Sequence, residues 1–166
     1  MLGLYLTNNC KNKCAICCTV SKVYPKVYPI GKTEVERTAL KTLLRNKEAY
    51  FSGGDVLRNR SALEAIAELS KEDGIRRRVV LNPISFTKMN KEERNQNLEL
   101  LKNFIVHWSY GDARGSYPGE NEKARVSLES DLKKYKIESV EMREIDAYLE
   151  NNDGNLKISG NGFSFI

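Results

Sequence analysis

The chain has 166 residues, 40% hydrophobic and 30% charged. That is one domain's length at roughly 100–200 residues per domain, and it is too apolar for wholesale disorder or collagen-like repetition. The longest apolar runs are too short to span a bilayer, and Met1-Leu2-Gly3-Leu4-Tyr5-Leu6-Thr7 lacks the basic and apolar regions of a signal peptide, so a cytoplasmic location is expected and no membrane partner. The net charge of +5, from 27 basic and 22 acidic residues, is too moderate to demand nucleic acid. Its densest piece, Arg76-Arg77-Arg78, reads as the solvated edge of a strand, and no nucleic-acid-binding signature accompanies it.

In chain order, strand and helix alternate. Leu2–Thr7 suits a strand, and a cysteine loop follows. Pro25 and Pro29 keep Val23–Pro29 out of any helix interior. Thr33-Glu34-Val35-Glu36 has the form of a capping box, after which Val35, Ala39, Leu40, Leu43 and Leu44 are expected to share one buried helical face. Ala49–Ser52 is a short strand ending in Gly53-Gly54. Ser61-Ala62-Leu63-Glu64 has the form of a second capping box, opening a helix with Leu63, Ile66, Ala67 and Leu69 inward that stops near Gly74. Arg78–Leu81 is a β-branched strand, Lys91–Asn103 a helix, and Phe104–Ser109 a strand in which His107 is expected to be a hydrogen-bonded core histidine. Glu122–Tyr135 is helical with Ala124, Leu128 and Leu132 inward, and Ile137–Met142 is a strand. The tail, ending Phe163-Ser164-Phe165-Ile166, suits a last strand or hairpin.

Regular βα alternation predicts an α/β fold with a parallel sheet and helical crossovers, and in such sheets ligands gather beyond the carboxyl ends of the strands. The cysteine loop, Gly53-Gly54, Asn82 and the segment after Ser109 all fall at that edge. All four cysteines, Cys10, Cys14, Cys17 and Cys18, lie within nine positions. Such clustering points to a metal or redox site rather than to a disulfide framework.

Cys10, Cys14 and Cys17 have the spacing C-x3-C-x2-C, and three thiolates on one short loop can ligate three irons of a [4Fe-4S] cluster. This resembles the radical S-adenosylmethionine (radical SAM) enzyme family, as does the context, Leu6-Thr7-Asn8-Asn9 at the end of a first strand. Phe51-Ser52-Gly53-Gly54-Asp55 after the second strand resembles the family's Gly-Gly-Glu motif, with Asp for Glu. Val80-Leu81-Asn82-Pro83 after the third resembles a Thr-Asn-Gly segment with only Asn82 retained. Ser109-Tyr110-Gly111-Asp112-Ala113-Arg114-Gly115 resembles a shortened Ser-x-Asp-Gly…Arg-Gly segment.

The resemblance implies a single core domain over residues 1–166. It would be a partial (β/α) barrel of about five or six mostly parallel strands with helices outside. It implies reductive cleavage of S-adenosylmethionine to a 5′-deoxyadenosyl radical that abstracts hydrogen from a substrate, with an electron donor such as a flavodoxin or ferredoxin as partner. Cys10, Cys14 and Cys17 would hold the cluster. Ser52, Gly53, Gly54 and the Asp55 carboxylate would meet the methionine ammonium, and Asn82, Ser109 and Arg114 are further cofactor-binding candidates. The chain is lean for the family and carries no cysteines for an auxiliary cluster, which favours a peptide or protein substrate. A glycyl-radical-enzyme activase or an enzyme of a nucleotide-like metabolite stands as the alternative within the family. Three other readings stay open on the residues. The thiols can clasp zinc, although no second Cys/His pair exists, or serve a non-catalytic iron–sulfur module. Cys14-Ala15-Ile16-Cys17 also has a redox-motif spacing, and Cys18 is either a spare buried thiol or an alternative ligand.

Overall fold

Five strands, β1 (Leu2–Tyr5), β2 (Ala49–Ser52), β3 (Arg77–Leu81), β4 (Phe104–Tyr110) and β5 (Ser139–Arg143), form one all-parallel sheet in the order β1-β2-β3-β4-β5. The computed structural model describes residues 2–7, 9–10, 30–110, 120–143, 148–152 and 155–159. Cys14, Cys17, Cys18, Arg114, the Val23–Pro29 stretch and the Phe163–Ile166 tail lie outside them. Between the strands run α1 (Glu34–Leu44), α2 (Arg60–Asp73), α3 (Pro83–Thr87), α4 (Lys91–Leu101) and α5 (Glu120–Lys134). The fold is therefore α/β, as the alternation predicts.

Strand order decides where the helices go. Parallel crossovers are right-handed almost without exception, so strands added one after another in a single direction send every connecting helix to the same side of the sheet. Side-chain burial agrees. Ala49, Phe51, Val79, Leu81, Phe104, Val106 and Trp108 share one strand face and one hydrophobic cluster with Leu40 and Leu44 of α1, Leu63, Ile66 and Leu69 of α2, Phe86 of α3, Leu98 and Leu101 of α4, and Leu128 and Leu132 of α5. The alternate strand positions, Tyr50, Arg78, Val80, Ile105 and His107, are only half-buried on the opposite face. The sheet therefore has one face covered by helices and one face that no described helix covers.

Local signals explain the element ends. Thr33 caps α1 with the capping box its sequence predicts: its Oγ1 accepts from Glu36 N–H at 3.2 Å, and the Glu36 carboxylate accepts from Thr33 N–H at 3.0 Å. Gly74, at φ +69°, ends α2 in the left-handed conformation that glycine adopts without a Cβ penalty.

Four expectations need correction. The second capping box does not form: α2 opens at Arg60 behind Asn59, whose side chain caps nothing and is used elsewhere. On α1 only Leu40 and Leu44 are buried, while Ala39, Val35 and Leu43 face outward, because α1 packs mainly along α2 through a narrow i, i+4 stripe. Arg76-Arg77-Arg78 is no solvated run. Arg77 is fully buried, donating to the Asp73 carboxylate at 2.6 Å and to the Leu44 carbonyl at 2.8 Å, while Arg76 and Arg78 pair with Glu138 and Glu48. His107 is half-buried, set edge-on to Tyr50 at 5.6 Å between ring centroids, and its Nε2 is enclosed with no hydrogen-bond partner among the described residues. The short helix α3 adds to the expected elements, and the hairpin expected of the tail is present as antiparallel β6 (Tyr148–Asn152) with β7 (Asn155–Ser159).

Candidate functional site at the carboxyl edge of the sheet

The first two strands deliver their carboxyl ends side by side, paired in register from Leu2↔Ala49 to Tyr5↔Ser52. Beyond the last pair the two chains stay laced together. Leu6 N–H donates to the Ser52 carbonyl at 3.0 Å, Gly54 N–H to the Thr7 carbonyl at 2.7 Å, and Asp55 N–H to the Asn9 carbonyl at 3.0 Å. Thr7 Oγ1 in turn accepts from Asn9 N–H at 3.0 Å, turning the chain just ahead of Cys10. Cys10, half-buried, therefore leaves the sheet directly beside the Gly-Gly-Asp turn.

Gly53 is required by this lacing. Its φ is +145°, and a Cβ there would lie 2.5 Å from the Thr7 carbonyl oxygen. The close neighbour is thus backbone of the cysteine-bearing chain, a demand on glycine that arises inside the fold. Asn59 holds the same strand end from below: buried, it donates through Nδ2 to the Leu6 carbonyl at 2.9 Å and to the Ile30 carbonyl at 3.1 Å.

Asp55 is the buried carboxylate of this edge, its side chain 4% exposed. Arg58 Nε lies 3.3 Å from its Oδ2, and the Leu57 backbone and the Ser85 side chain also favour its charged form. Burial nevertheless dominates and pushes the Asp55 carboxyl above its ordinary range, against the pull of Arg58, Leu57 and Ser85. An acid held so that its charge costs more than its partners return is typical of functional sites.

Asn82 connects the third strand to the same group. Its Oδ1 caps α3, accepting from Ile84 N–H at 2.9 Å and Ser85 N–H at 3.4 Å, with Pro83 at the first helical position. The cap fixes the start of the helix that carries Ser85 to Asp55. Asn82 thus serves this edge by orienting a neighbour, through the oxygen that its cap occupies.

Cys10, Ser52, Gly53, Gly54, Asp55 and Asn82 are therefore gathered by three successive strand ends. Ser109 lies at the carboxyl end of β4, paired in register with Met142. Cys14, Cys17 and Arg114 lie outside the described residues, and among the described residues no group of three or more His, Cys, Asp or Glu assembles. Sequence reasoning missed Thr7, Arg58, Asn59 and Ser85. The spacing of Arg58 three residues beyond Asp55 was a usable signal, since i, i+3 places the two on one side of a helical turn. No helix among the described residues is long and apolar enough to cross a membrane.

Comparison of the chain with family models, with curated proteins and with solved structures finds no match. The functional reading rests on the residues themselves.

Proposed function

We propose that the protein is a radical S-adenosylmethionine enzyme whose sheet is a partial (β/α) barrel, the face turned away from the helices being its inside. The observation that carries the reading is the lacing of the Cys10-bearing chain to the Gly53-Gly54-Asp55 turn by the Gly54→Thr7 and Asp55→Asn9 backbone hydrogen bonds. It sits at the carboxyl edge of strands laid down in sequential order. Sequential parallel order with one-sided helices is the topology that curls into a barrel, whereas a doubly wound sheet reverses its order and covers both faces.

The sequence supplies a donor set suited to the cofactor. Cys10 stands where the first of three thiolates is needed, and Cys14 and Cys17 follow at the spacing for a [4Fe-4S] cluster with one iron left open. Such a cluster, when bound, supplies the electron that cleaves the sulfonium of S-adenosylmethionine, with a flavodoxin or ferredoxin as the donor. The protein's own contribution is to bind, orient and exclude water. The Gly53–Asp55 turn lies against the cysteine-bearing chain, and Asn82 and Ser85 brace it.

The substrate we favour is a peptide or protein. The inner face exposes Tyr50, Arg78, Val80, Ile105 and His107 in part, and radical chemistry needs that face dry. A macromolecular substrate provides the cover, so 5′-deoxyadenosine formation should be slow alone and faster once the partner is added. The deciding experiment is anaerobic reconstitution followed by dithionite reduction. About four irons per chain are expected, with 5′-deoxyadenosine released from S-adenosylmethionine. Cys10→Ala, Cys14→Ala and Cys17→Ala should each abolish the iron, and Cys18→Ala should retain it. Stoichiometric zinc without iron in anaerobically purified protein would refute the reading.

A further inference from the structure

One cation of this edge is built like a ligand contact. Arg58 is fastened through Nε to the Asp55 carboxylate, which is almost completely buried, while its own side chain remains 31% exposed. Its two terminal Nη groups have no hydrogen-bond partner among the described residues. A guanidinium held from one side by a buried acid presents its remaining donors in a fixed direction, with little rotamer freedom left to lose on binding. The natural complement of that planar fork is a carboxylate.

The Asp55 carboxylate is already engaged. It is only 4% exposed and is paired with Arg58 at 3.3 Å, so it offers little surface to an incoming ammonium. The alternative role, a direct charge contact from Asp55 to an incoming ammonium, would compete with Arg58 for a nearly buried carboxylate.

We infer that Arg58 is the residue that takes the carboxylate of S-adenosylmethionine, and that Asp55 is its positioning residue rather than a ligand contact. This rests on the radical S-adenosylmethionine reading and reassigns the charges within it. The Gly-Gly-Asp turn then acts through one more residue: the glycines let the chains close, the aspartate anchors, and Arg58 binds.

The test compares three probes on the anaerobically reconstituted full chain: S-adenosylmethionine, S-adenosylhomocysteine, and 5′-methylthioadenosine, which lacks the amino-acid carboxylate. Arg58→Gln should weaken the first two about 10- to 150-fold, the range of one lost charge-assisted contact. It should leave 5′-methylthioadenosine binding and iron content unchanged, while the melting temperature falls because the buried Asp55 loses its cation. Arg58→Lys should recover part of the loss, because it keeps the charge without the fork. Asp55→Asn should show the same probe selectivity in weaker form, since its side-chain oxygen still accepts from Arg58 Nε. If Arg58→Gln leaves all three affinities unchanged, or lowers all three alike, Arg58 is structural and the inference falls while the enzyme reading stands. If the wild-type chain binds neither S-adenosylmethionine nor S-adenosylhomocysteine, the enzyme reading itself fails and takes the inference with it.

Discussion

Replacing Gly53 with Ala tests the contact on which the site is built. The new Cβ would sit 2.5 Å from the Thr7 carbonyl oxygen and 3.2 Å from Thr7 N, against an ordinary carbon contact of about 3.5–4.0 Å. Neither neighbour is a side chain that can rotate away. Thr7 is pinned because its carbonyl accepts from Gly54 N–H at 2.7 Å. The backbone at φ +145° adds strain of about 1–3 kcal/mol for a residue with a Cβ. A weakened Gly54–Thr7 hydrogen bond adds about 0.5–1.5 kcal/mol. Together they come to about 2–4 kcal/mol, and at about 2–4 °C per kcal/mol for a chain of this size the melting temperature should fall by about 5–15 °C. Two other glycines separate the causes. Gly74→Ala carries a positive φ of +69° but meets nothing within 4 Å, and Gly3→Ala meets nothing and has no such φ. Thermal melts should therefore rank Gly3→Ala near wild type, Gly74→Ala about 1 kcal/mol less stable, and Gly53→Ala clearly lowest. A Gly53→Ala protein melting with Gly74→Ala would mean that the two chains do not lace as described, and the argument for the site would lose its support.

The buried pair predicts an acid limb. The Arg77 guanidinium beside Asp73, helped by the Ile75 and Asn46 N–H groups, lowers its carboxyl from 3.8 to about 2. Because the folded value is depressed, this stability is present above pH 3.8 and is lost as pH falls toward 2; at about 1.4 kcal/mol per pH unit it amounts to about 2 kcal/mol. Urea titrations of Asp73→Asn should lose that dependence, and a wild-type limb of unchanged slope in the variant would refute the assignment. Arg77→Leu, which strands Asp73 and the Leu44 carbonyl, should cost about 3–5 kcal/mol by chemical denaturation, and a smaller loss than Gly74→Ala would contradict the burial. Asp55 has the opposite sign. Its folded pKa is raised, so its contribution is favourable below pH 3.8 and lost as pH rises through the folded value, and the neutral-pH charge is a cost. Asp55→Asn should therefore melt higher than wild type at pH 7 while binding S-adenosylmethionine more weakly. A lower melting temperature would make Asp55 an ordinary structural acid.

How far the sequence reached depended on how local each signal was. The Thr33 capping box and the Gly74 stop each involve residues within a turn of one another, and both were legible. So were the strand at Ala49–Ser52 and the Ala124, Leu128, Leu132 stripe. The Ser61 box failed because a buried long-range use, Asn59 to the Leu6 and Ile30 carbonyls, moved the helix start back to Arg60. Arg77 was misread for the same reason. Nothing in three consecutive arginines says that the middle one points into the core, until the i, i+4 relation to Asp73 and the carbonyl of Leu44, 33 residues away, are in place. At the edge itself, chemistry-bearing residues were legible as motifs, while the residues that hold them, Thr7, Asn59 and Ser85, are polar side chains of common types whose roles exist only in three dimensions.

That division bears on why this edge reads as a site rather than a well-made turn. A turn joining β2 to α2 needs neither a buried acid nor a glycine pressed against a foreign backbone; a polar hairpin of residues exposed to water would connect them at lower cost. Here Gly53 is confined by Thr7, Asn82 spends its cap on orienting Ser85, and Asp55 keeps a charge that burial opposes. Gly53 and Asp55 each give up some stability, and both sit where the cysteine-bearing chain leaves the sheet. Local concessions of this kind persist when something beyond folding depends on them. A sheet edge that holds a buried carboxylate, a paired guanidinium and the first of three clustered thiols suits the amino-acid-bearing sulfonium cofactor proposed for it better than it suits a plain turn.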